Sequence, residues 1–264
     1  MMTSRPVPTV LPNGTPSRRE VPEEVAVALT CNGSTQAVMM ATPEDLEDFA
    51  RGFLLTEGIA DPAEVQSIEA VETPRGIDVQ IWLGEGAQAR LEARRRSRMG
   101  PVGCGLCGIE SLEEATRDLP AVVSDLRLTA GDVTAAMAAL APLQPLHMAT
   151  RAAHAAGFWV PGQGMVAVRE DVGRHNALDK LAGALIGADR SGAVVLTSRV
   201  SLDMVQKCAR LGAPVLIAAA APTAAALEAA DKAGITVVAC ARGERFEVFT
   251  HPHRIGPGEI AHVA

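Results

Sequence analysis

The C-terminal half of the chain alternates short apolar runs with segments of helical periodicity. Apolar runs predict strands at residues 165–168, 193–196, 215–218 and 235–239, and the intervening segments predict helices at 177–186, 201–211 and 223–233. Strands that alternate with helices predict parallel pairing in an α/β layer sandwich. Because the runs contain few polar positions, we expect helices to cover both faces of this sheet.

The N-terminal half has a different pattern, with hairpins and one amphipathic helix. A strand at 24–30, an Asn32-Gly33 turn and a partner strand at 36–40 predict a hairpin, and short strands are predicted within 71–83. Thr42 and Pro43 predict a helix in which Thr42 is the N-cap and Pro43 lies in the first turn. This mixture is typical of an α+β domain.

These patterns divide the chain into three parts. Residues 1–22 carry five prolines among Ser, Thr and Arg, which predicts a flexible leader. Residues 23–125 predict a smaller N-terminal α+β domain that ends in a cysteine loop and the helix after it. Residues 126–264 predict a C-terminal three-layer α/β domain, so the fold class is α/β.

Composition excludes several classes of protein. The 264 residues are 48% apolar, which is enough for a core and argues against general disorder. Lys and Arg total 24 and Asp and Glu total 31, so the net charge is 24 − 31 = −7. The chain also has only five Phe and two Trp. Because nucleic-acid binders need a basic surface or aromatic side chains for base stacking, no nucleic-acid partner is expected.

Membrane and export signals are missing from the sequence. The longest apolar run stops at Pro222, far short of the roughly 20 residues that span a bilayer, so no membrane association is expected. The first residues contain no apolar stretch of signal-peptide length. An odd count of five cysteines is no disulfide framework and fits a reducing compartment, so we expect the protein in the cytoplasm.

Cys104 and Cys107 form a Cys-x-x-Cys pair inside a glycine-rich turn. Two thiols at this spacing suit a redox disulfide, a metal site, or the receipt and transfer of a sulfane sulfur as a persulfide. All three chemistries need thiolate character, which the arginines at positions 94–96 and 98 and a following helix would favour if they face the thiols. Both cysteines are therefore the candidate catalytic residues.

A zinc site and a dinucleotide-binding site are the alternatives for this loop, and each needs a further sequence motif that is absent. A structural zinc site needs about four ligands, and no second Cys-x-x-Cys is present, so no metal site is expected. The His-x-Glu sequence of zinc deaminases follows none of the histidines. The G-x-G-x-x-G pattern at 103–108 lacks the preceding apolar strand of a dinucleotide-binding site.

Three predicted strand ends carry arginine beside small, hydroxyl or imidazole side chains. The candidate binding residues are Asp171, Gly173, Arg174, His175, Asn176, Ser198, Arg199, Cys240, Ala241, Arg242, Gly243, Glu244 and Arg245. Because α/β proteins bind anions where strands end and helices begin, these residues predict one polyanion pocket. A capped helix start with a surface ion pair is the alternative for the first group. His147 and His154 are expected to be structural or surface residues.

Several of these segments, taken together, resemble one known family. The matching segments are residues 42–46, 51–59, 104–108, 171–180, 197–201 and 241–243. In this order they are similar to the FdhD family of formate dehydrogenase accessory sulfurtransferases, over about residues 24–250. The chain departs from the family's Thr-Gly-Gly before a histidine, because it has Thr150-Arg151-Ala152-Ala153-His154.

The resemblance implies a function and its partners. The family takes sulfur from a cysteine desulfurase as a cysteine persulfide and passes it to the molybdenum cofactor of formate dehydrogenase. It binds the bis(molybdopterin guanine dinucleotide) form of that cofactor as a substrate, without a permanent cofactor, and its C-terminal domain resembles the cytidine deaminase fold. The persulfide cysteine corresponds to Cys104, its neighbour to Cys107, and the nucleotide segment to residues 240–245.

Two other functions remain open alongside this one. The protein could be a chaperone that binds the molybdenum cofactor without transferring sulfur, or a zinc protein. A homodimer is the default expectation for a chain of this kind.

Overall fold

The structure is a computed structural model that describes residues 2–97 and 118–256. Its first element is an antiparallel hairpin of β1 (Ser4–Val10) and β2 (Pro16–Pro22). The predicted flexible leader is therefore wrong, since these residues form paired strands. Pro6 pairs with Glu20 and Pro8 with Arg18, and both are non-hydrogen-bonded pairs of the antiparallel ladder. Their missing N–H groups therefore fall on the free edge of the ribbon.

The N-terminal part continues with a four-stranded sheet and two helices. The strands are β3 (Val25–Cys31), β4 (Ser34–Ala41), β5 (Val65–Thr73) and β6 (Gly76–Leu83), and the helices are α1 (Leu46–Thr56) and α2 (Glu85–Ser97). The sheet order is β4-β3-β6-β5, with β3 and β6 parallel and the other neighbours antiparallel. Val27, Leu29 and Val79 share a buried core with Phe49 and Leu54 of α1.

Helix α1 begins later than the sequence predicts. Its N-cap is Asp45, in the left-handed conformation at φ 53°, and the prediction of Thr42 as the cap is wrong. Thr42 is instead fully buried, and its hydroxyl oxygen accepts a hydrogen bond from Val172 N at 3.2 Å. Thr42 thus links the N-terminal part to the C-terminal part rather than capping its own helix.

A six-stranded mixed sheet forms the centre of the C-terminal part. Its strands are β8 (His154–Val160), β9 (Gly164–Asp171), β10 (Ala193–Leu196), β11 (Val215–Ala218), β12 (Thr236–Arg242) and β13 (Arg245–Val248), after the short β7 (Leu128–Thr129) that pairs with β14 (Ile255–Gly256). The order is β13-β12-β11-β10-β8-β9. The helices are α3 (Ala130–Leu140), α4 (Pro145–Thr150), α5 (Arg174–Ala184), α6 (Leu202–Leu211) and α7 (Ala224–Ala233).

Only the centre of this sheet is parallel. Strands β10, β11 and β12 pair in parallel as predicted, whereas β8, β9 and β13 pair antiparallel with their neighbours. The expectation of parallel pairing throughout is wrong because β8 and β9 form a hairpin. Gly162 in its turn and Gly164 at the start of β9 are both at positive φ, which glycine adopts without a steric penalty.

Helices cover both faces of the six-stranded sheet. Leu178 of α5 and Met204 of α6 share one buried cluster with Leu216 of β11. Val133 of α3 shares a second cluster with Ile217, on the opposite face. The mixed α/β class with a three-layer C-terminal part is confirmed, while the likeness to the cytidine deaminase fold and the boundary at 125/126 stay predictions.

The two parts of the chain meet where α1 crosses α5. A Cβ added to Gly52 would lie 1.7 Å from Asp179 O, and one added to Gly183 would lie 1.9 Å from Asp48 O. Two glycines therefore allow the helix backbones to touch directly. No helix among the residues described is long and apolar enough to cross a membrane.

A buried ionic cluster lies beside this crossing. Lys207 Nζ is 2.9 Å from Asp179 Oδ1 and 2.9 Å from Glu57 Oε1, and it also donates to Thr56 Oγ1 at 3.1 Å. Thr56 and Glu57 belong to the N-terminal part, whereas Asp179 and Lys207 belong to α5 and α6. Lys207 in this cluster therefore depends on a partner from across the contact, and loss of Lys207 would leave the buried charge of Asp179 unpaired.

Candidate functional site

The carboxyl ends of four strands lie along one edge of the six-stranded sheet. Strand β9 is antiparallel to β8, which is antiparallel to β10, so β9 points the same way as β10, β11 and β12. The segments that carry Arg174, Arg199 and Arg242 therefore share one edge. The amino end of β8, at His154, lies at the same edge, between the ends of β9 and β10.

A cavity of about 330 Å³ opens at this edge, lined by His147, residues 151–154, Val172 and Thr197. Val172 follows β9 and Thr197 follows β10, while His147 and Arg151 come from α4 and its C-cap. Thr197 Oγ1 accepts a hydrogen bond from Ala155 N at 2.9 Å, which fixes the first residues of β8 against the end of β10. We refer to this cavity below as the edge pocket.

Glu170 of β9 holds α4 in place beside the pocket. Its two carboxylate oxygens accept hydrogen bonds from Leu146 N and His147 N, each at 2.8 Å. Burial raises the pKa of Glu170, while the two amide bonds oppose that rise. Glu170 is therefore a positioning residue for the short helix that carries His147.

The imidazole of His147 is oriented by the backbone of the following loop. Its Nδ1 lies 3.0 Å from Ala153 O, and a carbonyl oxygen accepts only, so Nδ1 carries the proton. This hydrogen bond fixes the orientation of the His147 ring relative to the loop.

The charge of Arg174 acts on His154, which lines the edge pocket. Burial lowers the pKa of His154, and Arg174, His147 and His175 lower it further, against the opposing effect of Asp171. Among these neighbours Arg174, at the start of α5, is the permanently charged cation. A bound anion would oppose the effect of Arg174 and favour protonation of His154.

Asp171 and Asn176 hold the loop between β9 and α5. Asp171 is fully buried, with Oδ2 2.8 Å from Lys180 Nζ and 3.0 Å from Thr42 N. Its Oδ1 accepts hydrogen bonds from Gly173 N and from Asn176 Nδ2. These side chains face the interior rather than the pocket, so their contacts order the loop itself.

Gly173 and Arg174 stand at the start of α5. Gly173 is the N-cap, and a Cβ there would lie 2.9 Å from Asn176 Nδ2, so the tight loop favours glycine. Arg174 is half-buried, and its Nε has no hydrogen-bond partner among the described residues although it is shielded from solvent. A buried donor of this kind costs stability unless a ligand satisfies it.

His175 faces a second helix start. Its Nε2 lies 3.5 Å from Asp203 Oδ2 of α6, and hydrogen bonding to His175 lowers the pKa of Asp203. The ion pair predicted by the alternative of a capped helix start is therefore present, although Gly173 gives no side-chain cap.

The segment after β10 carries the next two predicted residues. Ser198 is buried and donates to Arg199 O at 3.0 Å, while Arg199 is exposed. Neither of these last two side chains lines the pocket.

Residues 240–245 occupy the far end of the same edge. Cys240 is half-buried at φ 54°, within an irregularity of the pairing of β12 with β13, and Ala241 is buried. Gly243 and Glu244 form the hairpin turn between the paired, exposed Arg242 and Arg245. Because β11 separates β12 from β10, this segment stands roughly 10 Å further along the sheet and contributes nothing to the lining of the pocket.

The edge pocket lies at two of the three predicted strand ends, through Val172 and Thr197, but none of the thirteen predicted binding residues is among those that line it. His147 and His154, expected to be structural or surface residues, both line it. The only sequence signal for them was the Thr150–His154 stretch that departs from the family pattern. Cys104 and Cys107 lie outside the described residues, and within the described ranges no three His, Cys, Asp or Glu side chains are grouped to hold a metal ion.

Comparison with known proteins identifies relatives over nearly the whole chain. Residues 22–256 match the model of the FdhD/NarQ family. A protein named sulfur carrier protein FdhD from Agrobacterium fabrum is 57% identical over 254 residues, which is 94% of each chain. The protein of the same name from Brucella abortus is 52% identical over 244 residues, 90% of this chain and 91% of its own.

A solved structure has the same fold. It is described as a formate dehydrogenase accessory protein from Desulfotalea psychrophila, with a TM-score of 0.75 and 28% identity. The match covers 96% of this chain and 98% of the other. The arrangement of strands and helices reported above is therefore shared with a relative that has diverged widely in sequence.

Proposed function

This chain belongs to the FdhD/NarQ family, and we propose that it carries sulfur from a cysteine desulfurase to the molybdenum cofactor of formate dehydrogenase. The observation that carries the proposal is the 57% identity, over 94% of both chains, with a protein named as a sulfur carrier. The Cys104-Gly105-Leu106-Cys107 sequence supplies the two thiols that the chemistry needs.

The proposed chemistry proceeds through a persulfide on one of these cysteines. The Cys104 thiolate attacks the terminal sulfur of the desulfurase persulfide, so the donor S–S bond breaks, a new S–S bond forms on Cys104, and the desulfurase thiolate leaves. For delivery, the Cys107 thiolate attacks the inner sulfur of the Cys104 persulfide. This step releases the outer sulfur as hydrosulfide and leaves a Cys104–Cys107 disulfide, so the two thiols supply the electrons that reduce the sulfur.

The edge pocket is the proposed place for a phosphate-bearing part of the cofactor substrate. Arg151 lines the pocket, the charge of Arg174 acts on His154, and Arg174 Nε is a shielded donor without a partner among the described residues. Phosphate oxygens accept hydrogen bonds and carry the opposite charge, so they satisfy both conditions. Residues 240–245, along the same edge, are the proposed contact for the nucleotide.

Mass spectrometry tests the sulfur-carrier proposal directly. After incubation with a desulfurase and cysteine, the chain should gain about 32 Da, one sulfur atom, on Cys104 or Cys107. Burial raises the pKa of both Cys31 and Cys208 to about 12, so these protonated, enclosed thiols are internal controls that should stay unmodified. Sulfur found on Cys31 or Cys208 instead, or on no cysteine, would overturn the proposal.

The second candidate function is a chaperone that binds the cofactor without transferring sulfur. The edge pocket is compatible with it, because both functions need a site that binds the anionic cofactor. A Cys104→Ala, Cys107→Ala double variant separates the two functions. Under the sulfur-carrier proposal this variant binds the cofactor but yields inactive formate dehydrogenase, whereas under the chaperone alternative the enzyme becomes active.

Two further expectations belong to this proposal. We propose that the protein works in the cytoplasm, where its cysteines stay reduced, and that it forms a homodimer. Light scattering on the full chain tests the second point. A mass of one chain at all concentrations would rule out the homodimer.

A further inference from the structure

Arg151, at the C-cap of α4, adopts a backbone conformation that arginine normally avoids. Its φ is 59° and its ψ is 23°, within the left-handed region. For an L residue other than glycine, Cβ then approaches the following carbonyl oxygen, which costs free energy. A glycine would occupy this position without that cost, so the arginine side chain is retained at the expense of stability.

The side chain that causes this strain belongs to the edge pocket. Arg151 lines the pocket and is exposed, while its backbone N donates to His147 O at 2.7 Å and closes the helix. Among the residues that the structure describes, no carboxylate pairs with its guanidinium. An ion pair therefore does not explain why the position carries a charge, and the helix dipole, which favours a cation here, does not require the left-handed backbone.

Arg151 is the permanently charged side chain in the lining of the edge pocket. Burial and the charge of Arg174 favour the neutral form of His154, so His154 adds little charge of its own near neutral pH. Arg174 does not line the pocket, but its charge acts on a histidine that does. A guanidinium in the lining with a second arginine charge nearby suits an anion whose charge is spread over two linked groups rather than concentrated on one.

We propose that Arg151 is a specificity-determining residue of the edge pocket, which selects a diphosphate group over a single phosphate. The inference rests on the proposed role of the pocket as an anion site and adds to it the residue that sets ligand class. The strained backbone is the cost of placing a guanidinium at the rim. Functional sites commonly retain strain of this kind.

Calorimetric titration of the full-length chain with pyrophosphate and with orthophosphate tests this proposal. We expect Arg151→Gly to weaken pyrophosphate binding about fivefold and orthophosphate binding less than about twofold. The same variant should melt about 2–4 °C higher, because glycine relieves the left-handed strain. A loss of binding in a more stable protein excludes general unfolding as the cause.

Two further variants distinguish the effect of the strained backbone from the effect of the lost guanidinium charge. Arg151→Ala removes the charge but keeps the strain, so it should lose binding to the same degree without the gain in melting temperature. Arg75→Ala, in the exposed turn between β5 and β6, removes one charge far from the pocket in sequence and should change neither quantity. The difference between wild type and Arg151→Gly should also shrink as salt rises.

The outcomes distinguish a failure of the Arg151 role from a failure of the proposal that the edge pocket binds an anion. If wild type binds pyrophosphate, Arg174→Ala weakens that binding and Arg151→Gly leaves it unchanged, the role of Arg151 is wrong while the anion pocket stands. If wild type does not bind pyrophosphate, or neither variant affects binding, the anion pocket itself is wrong and the inference fails with it. The sulfur-carrier proposal is tested separately by the persulfide measurement.

Discussion

Lys180 Nζ lies 2.8 Å from Asp171 Oδ2, and neither side chain has any exposed surface. Lys180 also donates to Thr42 O at 2.9 Å and lies 5.9 Å from the centre of the Phe49 ring. One buried cation thus joins the end of β9 to Thr42 and to helix α1 of the N-terminal part. The loop that carries Arg174 is therefore held from the protein interior.

Lys180→Met should destabilise the protein by about 3–5 kcal/mol, because it leaves the Asp171 carboxylate buried without its cation. Chemical denaturation gives the free energy of unfolding. The matched control is Lys232→Met on the exposed side of α7, for which a change below about 0.5 kcal/mol is expected. If both variants lose the same amount, the buried pair has no special role.

Gly52→Ala should be among the most damaging substitutions in the chain, because its new Cβ would lie 1.7 Å from Asp179 O. Since the obstacle is backbone, α1 and α5 must separate, and we expect a loss of at least about 3 kcal/mol. Gly131→Ala in α3 is the control, since its Cβ would meet Thr129 Oγ1 at an ordinary 3.5 Å. That change should raise stability by about 0.5–1 kcal/mol.

Glu170→Ala should loosen α4 without unfolding the protein. The amides of Leu146 and His147 lose their acceptor, at a cost of about 1–3 kcal/mol for the donors left unpaired. Hydrogen exchange should accelerate at these two amides, and pyrophosphate should bind more weakly. Glu247→Ala, exposed on β13, is the control, and unchanged exchange at Leu146 in Glu170→Ala would contradict the positioning role.

His154 should make the protein less stable in mild acid. Its pKa is lowered in the folded state, so the unfolded chain binds more protons between the folded and unfolded values. The stability present above the unfolded value of about 6.5 is then lost as pH falls through that window. Melting curves from pH 8 to 5.5 should show a smaller drop for His154→Gln than for wild type. An equal drop in the two would show that His154 does not contribute.

Anion binding should reduce the same pH dependence. A phosphate oxygen near His154 favours the imidazolium, and this opposes the effect of Arg174 and the neighbouring histidines. Pyrophosphate should therefore bind more tightly at pH 6 than at pH 8, with uptake of protons measurable by titration in two buffers. His154→Gln should lower this proton uptake, and identical uptake in both proteins would contradict the assignment.

Local sequence predicted elements better than it predicted their partners. Residues 193–196 and 215–218 are short apolar runs, and they are strands β10 and β11 as expected. The direction of pairing beyond them depends on β8, which was not predicted, because its first four residues, His-Ala-Ala-Gly, have little strand character of their own. The hairpin of β1 and β2 was missed because the meaning of each proline depends on its register with the opposite strand.

In the candidate site, too, local features were predictable from the sequence and tertiary contacts were not. Arg174 and His175 were predicted because a strand end followed by a helix start is visible in the sequence. Thr42 looked like a helix cap, and its real partners lie about 130 residues away, at Asp171 and Val172. His147 gains its place only when Glu170 holds α4 at the sheet edge, and His154 only when β8 pairs with β9, and neither contact is encoded by spacing along the chain.

The direct backbone contact between α1 and α5 bears on whether the two parts of the chain are independent. A chain cut before β7 would lose Thr42, Thr56 and Glu57, and with them partners of two enclosed lysines. It would also expose the glycine-lined face of α5 to water. The two halves that differ so plainly in sequence pattern are thus not separable modules. They should melt in one transition, and neither should be transferable to another protein without the other.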